Sequence, residues 1–150
     1  HCSSAASDVY KRQALFTTEL APTEILTEVE IPALESRSGW SVQEVSRRQG
    51  DYAMAGATTQ LILSEDGRCQ RVKLTFLSVG DGPVIAHSAQ DFLAGQELTG
   101  SVIDEAAGIA ANLDVDPISD IHASASYRRH LVKVLTRRVL ADAANKASQN

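Results

Sequence analysis

Cysteine is almost missing from this sequence of 150 residues: only Cys2 and Cys69 occur. No Cys-x-x-Cys pair exists, and Cys2 lies in an opening that reads as unstructured, so neither a structural disulfide nor a thiolate metal site is expected. Cys69 is expected to be a small strand residue with a free thiol. Long apolar runs are missing too. Nothing approaches the ~20 residues that cross a bilayer, and the first residues lack the apolar stretch of a signal peptide, so a cytoplasmic protein with no membrane insertion is expected. There is no basic excess. With 14 basic against 19 acidic side chains the net charge is -5, which gives nucleic acid or an anionic membrane nothing to hold. No Gly-x-Gly-x-x-Gly or Walker loop is present to grip the phosphates of a dinucleotide. His87, His122 and His130 fall on different expected elements in no ligand spacing, which argues against a metal site. A Gly-x-Ser-x-Gly elbow for nucleophilic catalysis is absent, and so is any internal repeat.

What is present suffices for one domain, since a chain of this length with 43% hydrophobic residues buries roughly two-thirds of its unfolded surface. Residues 1–13 are polar and aperiodic. Asp8 to Gln13 resemble a translated sequencing adaptor, so we expect a non-native, disordered leader there and one domain over residues 14–150. Alternation from Leu26 to Ile31, stopped by Pro32, predicts a strand with one wet face. Trp40 to Val45 predicts a second strand, with Trp40 and the two valines on its apolar side. Thr58 to Leu63 and Cys69 to Leu77, joined by the Glu65-Asp66-Gly67 turn, predict a hairpin whose second arm puts Val72, Leu74 and Phe76 on one face. Beyond Gly80-Asp81-Gly82-Pro83 the period turns helical. Helices are expected from Ser88, read as a cap, to a stop at Gly95, over Val102 to Leu113 with Thr99 or Ser101 as cap, and from Ser124 or Ser126 onward, where Tyr127, Leu131, Leu135 and Val139 recur every four residues. Strands followed by helices predict an α+β layer sandwich.

Two charged groups invite a functional reading. The carboxylates Asp114 and Asp116, and Asp104 and Glu105, flank helix signals, so helix-end electrostatics and solvation explain them better than acid–base work. The last helix carries Arg128, Arg129, Lys133, Arg137 and Arg138, of which Arg129, Lys133 and Arg137 share a side. These read as a solvated face or as a salt-bridged contact with another subunit.

The most informative stretch is Ser46-Arg47-Arg48-Gln49-Gly50-Asp51-Tyr52. Two arginines before Gly-Asp and an aromatic, followed by small residues, describe either a solvated surface hairpin or a tight loop aimed at something anionic or planar. This stretch, taken in order with Leu20-Ala21-Pro22-Thr23-Glu24-Ile25-Leu26, Val79-Gly80, Phe92-Leu93-Ala94-Gly95, Asp120 and Ser126-Tyr127-Arg128-Arg129-His130-Leu131, resembles the C-terminal domain of the FAD-binding medium subunit of molybdenum hydroxylases, the carbon monoxide and xanthine dehydrogenase family. The pattern is nearer to the carbon monoxide dehydrogenase-like medium subunits.

The resemblance implies an antiparallel sheet of three to four strands packed against three helices. It also implies an oxidoreductase fragment, inactive as an isolated domain, that covers the ring of an FAD held mostly by a missing upstream FAD-binding domain. Flavin contacts carried over by the motifs are Ile25, Leu26, Gln43 and Glu44, with Ser46, Arg47, Arg48, Gly50, Asp51 and Tyr52 bordering the ring. Partner subunits are implied: a small one with 2Fe-2S clusters and a large one with the molybdenum cofactor. Electrons would pass from the clusters through FAD to an acceptor. Read from the residues alone, the other possibility is a non-catalytic interaction module that docks through its basic C-terminal helix.

Overall fold

The computed structural model describes Ala21 and residues 23–150. The leader expected at residues 1–13 lies outside the described residues. Four strands come first, β1 (Ser38–Ser46), β2 (Ala53–Leu63), β3 (Cys69–Leu77) and the short β4 (Val84–Ile85). Three helices follow, α1 (His87–Leu93), α2 (Gly100–Ile109), prolonged by a π turn over Ala110–Asp114, and α3 (Ala125–Gln149). The strands pair antiparallel in the order β1-β2-β3-β4. One face of this sheet is covered by helices, α3 lying along β1 and β2 and α1 against β3. The expected α+β sandwich is what forms.

Local rules account for most boundaries. The Thr99 hydroxyl accepts from Val102 N and the Ser124 hydroxyl from Tyr127 N, so each caps its helix. Gly95, at φ 76°, follows α1 where the chain must turn left-handed. Ser88 is not a cap. Its backbone N–H and that of Ala89 donate to the two oxygens of Asp114, 2.9 and 3.0 Å away. A carboxylate at the end of the π turn thus satisfies the opening of α1, the helix-end role expected of it. Asp116 pairs with Arg129 at 2.9 Å.

The core lies between sheet and helices. Phe76, Leu61, Leu74, Leu93, Leu135 and Leu140 are wholly buried, each worth roughly 1.5–3 kcal/mol of apolar burial. Cys69 is among the buried residues, a free thiol that burial pushes up to about 11. As expected, Val72, Leu74 and Phe76 all face inward from β3.

Two further expectations fail. Residues 24–31 form no strand, and Val29 and Ile31 are exposed; alternation yields a strand only where a sheet edge accepts the ladder, and here the sheet begins at Ser38. On β1 the expected apolar side divides. Trp40 and Val42 point outward, 52% and 61% exposed, while Gly39 and Ser41 are buried and Val45 packs on the core from their side. The cause is distance: a Cβ on Gly39 would stand 1.9 Å from the Ala143 carbonyl oxygen and 2.7 Å from Ala147 N. Helix backbone approaches strand backbone so closely that only small residues fit the inner face of β1 there. Trp40 is instead roofed by Lys146, whose Nζ is 4.7 Å from the ring centroid. Among the described residues, no helix is long and apolar enough to cross a membrane.

Candidate functional site

The Ser46 to Tyr52 segment leaves β1 through a bulge. Val45 pairs with Ala55 but Ser46 with Ala53, so Met54 is the extra residue of β2. The loop is held by local bonds. The Ser46 hydroxyl donates to the Arg48 carbonyl at 2.8 Å, Asp51 N donates to the same carbonyl at 3.1 Å, and Gly50 takes φ 83°. A side chain at Gly50 would be strained by that angle. Arg47 pairs with Asp51 at 3.5 Å, both partly solvated. Arg48 makes no ion pair among the described residues. Tyr52 is 97% exposed, an unusual position for a large aromatic ring.

This loop forms one wall of a cleft of about 280 Å³. Arg47, Asp51, Tyr52 and Met54 meet Ser78 and Gly80 after β3, Ile118, Asp120 and His122 from the segment that leads into α3, and Arg128 from the first turn of α3 itself. Arg128 joins the walls. Its side chain is 8% exposed, and it donates to the carbonyl oxygens of Met54 and Ser78, the latter at 2.8 Å, and to Asp120 Oδ2 at 2.6 Å. Its Nε is buried without a partner among the described residues. Ser78 has φ 62°, a left-handed conformation that costs a residue other than glycine about 1–3 kcal/mol. The N–H groups of Ala123 and His122, each 2.9 Å from Asp120 Oδ1, and then the Arg128 guanidinium hold the Asp120 carboxyl at about 2.

Of the residues singled out from the sequence, Arg47, Asp51 and Tyr52 line the cleft. Ser46, Arg48 and Gly50 shape or flank the same loop without lining it. Gln43, half-buried, faces inward from β1 opposite Ala57, and Glu44 faces outward opposite Gly56. Ile25 and Leu26 are exposed in the segment before β1 and do not line the cleft. Sequence reasoning had missed Ser78, Ile118, His122 and the role of Arg128. A signal for Arg128 was there: it stands three, four and seven residues before Leu131, Val132 and Leu135, on the buried stripe of α3. Of the basic helix, Arg128 is buried and paired with Asp120 and so is no part of a solvated face, whereas Arg129 and Arg137 form partly solvated pairs with Asp116 and Asp104 of the same chain.

An α+β domain with helices on one face of an antiparallel sheet and a cleft at the end of that sheet is the class this geometry defines. Residues 40–143 match the model of the CO dehydrogenase flavoprotein C-terminal domain, and the chain belongs to that family. It is 36% identical over 132 residues to the 6-hydroxypseudooxynicotine dehydrogenase complex subunit alpha of Paenarthrobacter nicotinovorans, covering 88% of this chain and 44% of the relative. It is 32% identical over 143 residues to the carbon monoxide dehydrogenase medium chain of Afipia carboxidovorans, covering 95% and 48%. The crystal structure of quinoline 2-oxidoreductase from Pseudomonas putida 86 superposes with a TM-score of 0.79 at 33% identity, over 93% of this chain and 47% of that one. The chain thus spans about half the length of the proteins it resembles.

Proposed function

We propose that this chain is the C-terminal domain of the FAD-binding medium subunit of a molybdenum hydroxylase, and that the cleft-side loop Ser46 to Tyr52 borders the flavin ring. The observation that carries the reading is the family match over residues 40–143, which contains the loop. The residues present fit contact with a ring and not the holding of phosphates. An exposed Tyr52 and two arginines offer a stacking surface and positive charge, while among the described residues no glycine-rich loop at a helix start provides the N–H cradle that a pyrophosphate needs. Bound FAD would supply the redox chemistry, taking electrons from the 2Fe-2S clusters of a small subunit, downstream of a molybdenum cofactor in a large one, and passing them to an acceptor.

This chain's own residues would tune that chemistry by charge. Arg47 is paired with Asp51, whereas Arg48 makes no ion pair among the described residues, so Arg48 is the stronger candidate for favouring an anionic reduced ring, as a nearby cation does. Gln43, Glu44, Ile25 and Leu26, together with Ser46, Gly50 and Asp51, complete the proposed contact set. Exposed Val29, Ile31, Trp40 and Val42 are apolar surface suited to the FAD-binding domain upstream. The test is a chimaera in which this chain replaces the matching half of the Afipia carboxidovorans medium chain. Flavin should be retained, and Arg48→Gln should lower its midpoint potential by roughly 10–20 mV, equivalent to an exposed charge interaction of about 0.5–1 kcal/mol. An unchanged potential would sink the reading. The 150-residue chain alone should purify without flavin, and stoichiometric FAD in its absorption spectrum would show that the binding groups lie elsewhere.

A further inference from the structure

Arg128 stands outside every contact proposed above, yet it touches all three walls of the cleft. Its Nη1 donates to Met54, the extra residue at which the loop rejoins the sheet, and to Ser78, the left-handed residue after β3. Its Nη2 donates to Asp120. Asp120 is itself fixed by two backbone N–H groups of the 120–123 turn. A guanidinium is planar and always charged, so its donors leave in fixed directions, and three acceptors from three chain segments are set relative to one another by a single side chain. Apolar packing cannot do the same, because carbonyl positions are not specified by area burial. The strained Ser78 needs such an anchor: a left-handed conformation persists only where its surroundings over-determine it.

We infer that Arg128, braced by Asp120, is the positioning residue of the cleft, holding the Arg47–Tyr52 loop and the Ser78–Gly80 turn in one mutual geometry. This rests on the reading of the loop as the flavin-facing element for its purpose, but not for its test. A positioning role differs from a merely structural one in where disorder appears when the residue is lost.

The experiment is amide hydrogen exchange on the 150-residue chain, comparing Arg128→Gln, Arg128→Lys, Asp120→Asn and Leu140→Ala. Leu140 is wholly buried in a separate core cluster with Leu61, Leu93 and Ile103, so its truncation lowers global stability away from the cleft. Arg128→Gln should raise exchange at residues 47–54 and 78–80 at least tenfold beyond what its global stability loss predicts. Arg128→Lys, which keeps the charge but not the fork, should do nearly as much. Asp120→Asn removes only the brace at a partly exposed site and should give about threefold, which keeps the test decisive if Arg128→Gln fails to fold. Leu140→Ala should leave these segments no more open than the rest. Equal opening in Leu140→Ala, or none in Asp120→Asn and Arg128→Lys, would overturn the inference. Exchange is read with no flavin in the tube, so a negative result falls on the clamp alone, whereas an unchanged potential in the Arg48→Gln chimaera falls on the flavin reading alone.

Discussion

The two ends of helix α3 are fastened to the sheet by opposite means. At its C-terminal end Ala143 and Ala147 press against Gly39, backbone on backbone, with Leu140 filling the core beside them. At its N-terminal end Arg128 reaches between Met54, Ser78 and Asp120 through hydrogen bonds. The first contact tolerates no extra atom, whereas the second tolerates no missing donor. Close packing suits an end that only has to stay shut. Directional bonds suit an end that must present a cleft, because they fix where polar atoms point as well as how near they come.

The contrast can be broken at either end. The largest effect is expected from Gly39→Ala, since its Cβ would meet helix backbone that cannot swing aside; a loss of about 3 kcal/mol or more, the top of the overpacking range, should appear in chemical denaturation, and a loss under ~1 kcal/mol would mean that the helix can lift. Next comes Arg128→Met, which leaves the half-buried Met54 carbonyl without its donor. A carbonyl so stranded costs about 1–3 kcal/mol, and thermal unfolding should show a loss in that range without a change in helix content.

The third is a pH effect at the brace. The Asp120 carboxyl is held at about 2 in the fold, below its ordinary value near 4. Its contribution is therefore complete above pH ~4 and is lost as pH falls through about 2. The difference in melting temperature between the unsubstituted chain and Asp120→Asn should be constant near neutrality and shrink below pH ~4, and a difference that instead grew in acid would put the brace elsewhere. Smallest is Arg47→Ala, which breaks an exposed pair with Asp51 and should move stability by no more than about 0.5 kcal/mol. That near-silence would show that the loop's charges are not there to hold the loop.

The sheet and helices were legible because their signals are local. Alternation marks β3 on the page before any contact is known, and Thr99, Ser124 and Gly95 announce helix ends through their own chemistry. The outward turn of Trp40 was not legible. Hydrophobicity predicts it inside, and only the spacing between Gly39 and Ala143, residues far apart in sequence, reverses that side. Residues 24–31 carry the same alternation as a strand, but pairing requires an edge, which no pattern within the segment records. In the cleft, Arg47, Asp51 and Tyr52 stood out as neighbours in sequence. Arg128 was obscured by its basic companions, although its phase with Leu131 and Leu135 set it apart.

The π turn at Ala110–Asp114 bears on which lengths of chain this fold accepts. Each residue of an α-helix advances about 100° around the axis, and a π turn houses one residue more than the regular spiral does. Deleting a single residue there would repair the spiral into a better helix. It would also carry Asp114 away from Ser88 and Ala89, leaving the start of α1 without its acceptor. A one-residue deletion that improves the local hydrogen-bond pattern should therefore weaken the protein, and insertions or deletions in this domain should fall in the turns between its elements, not within residues 110–114.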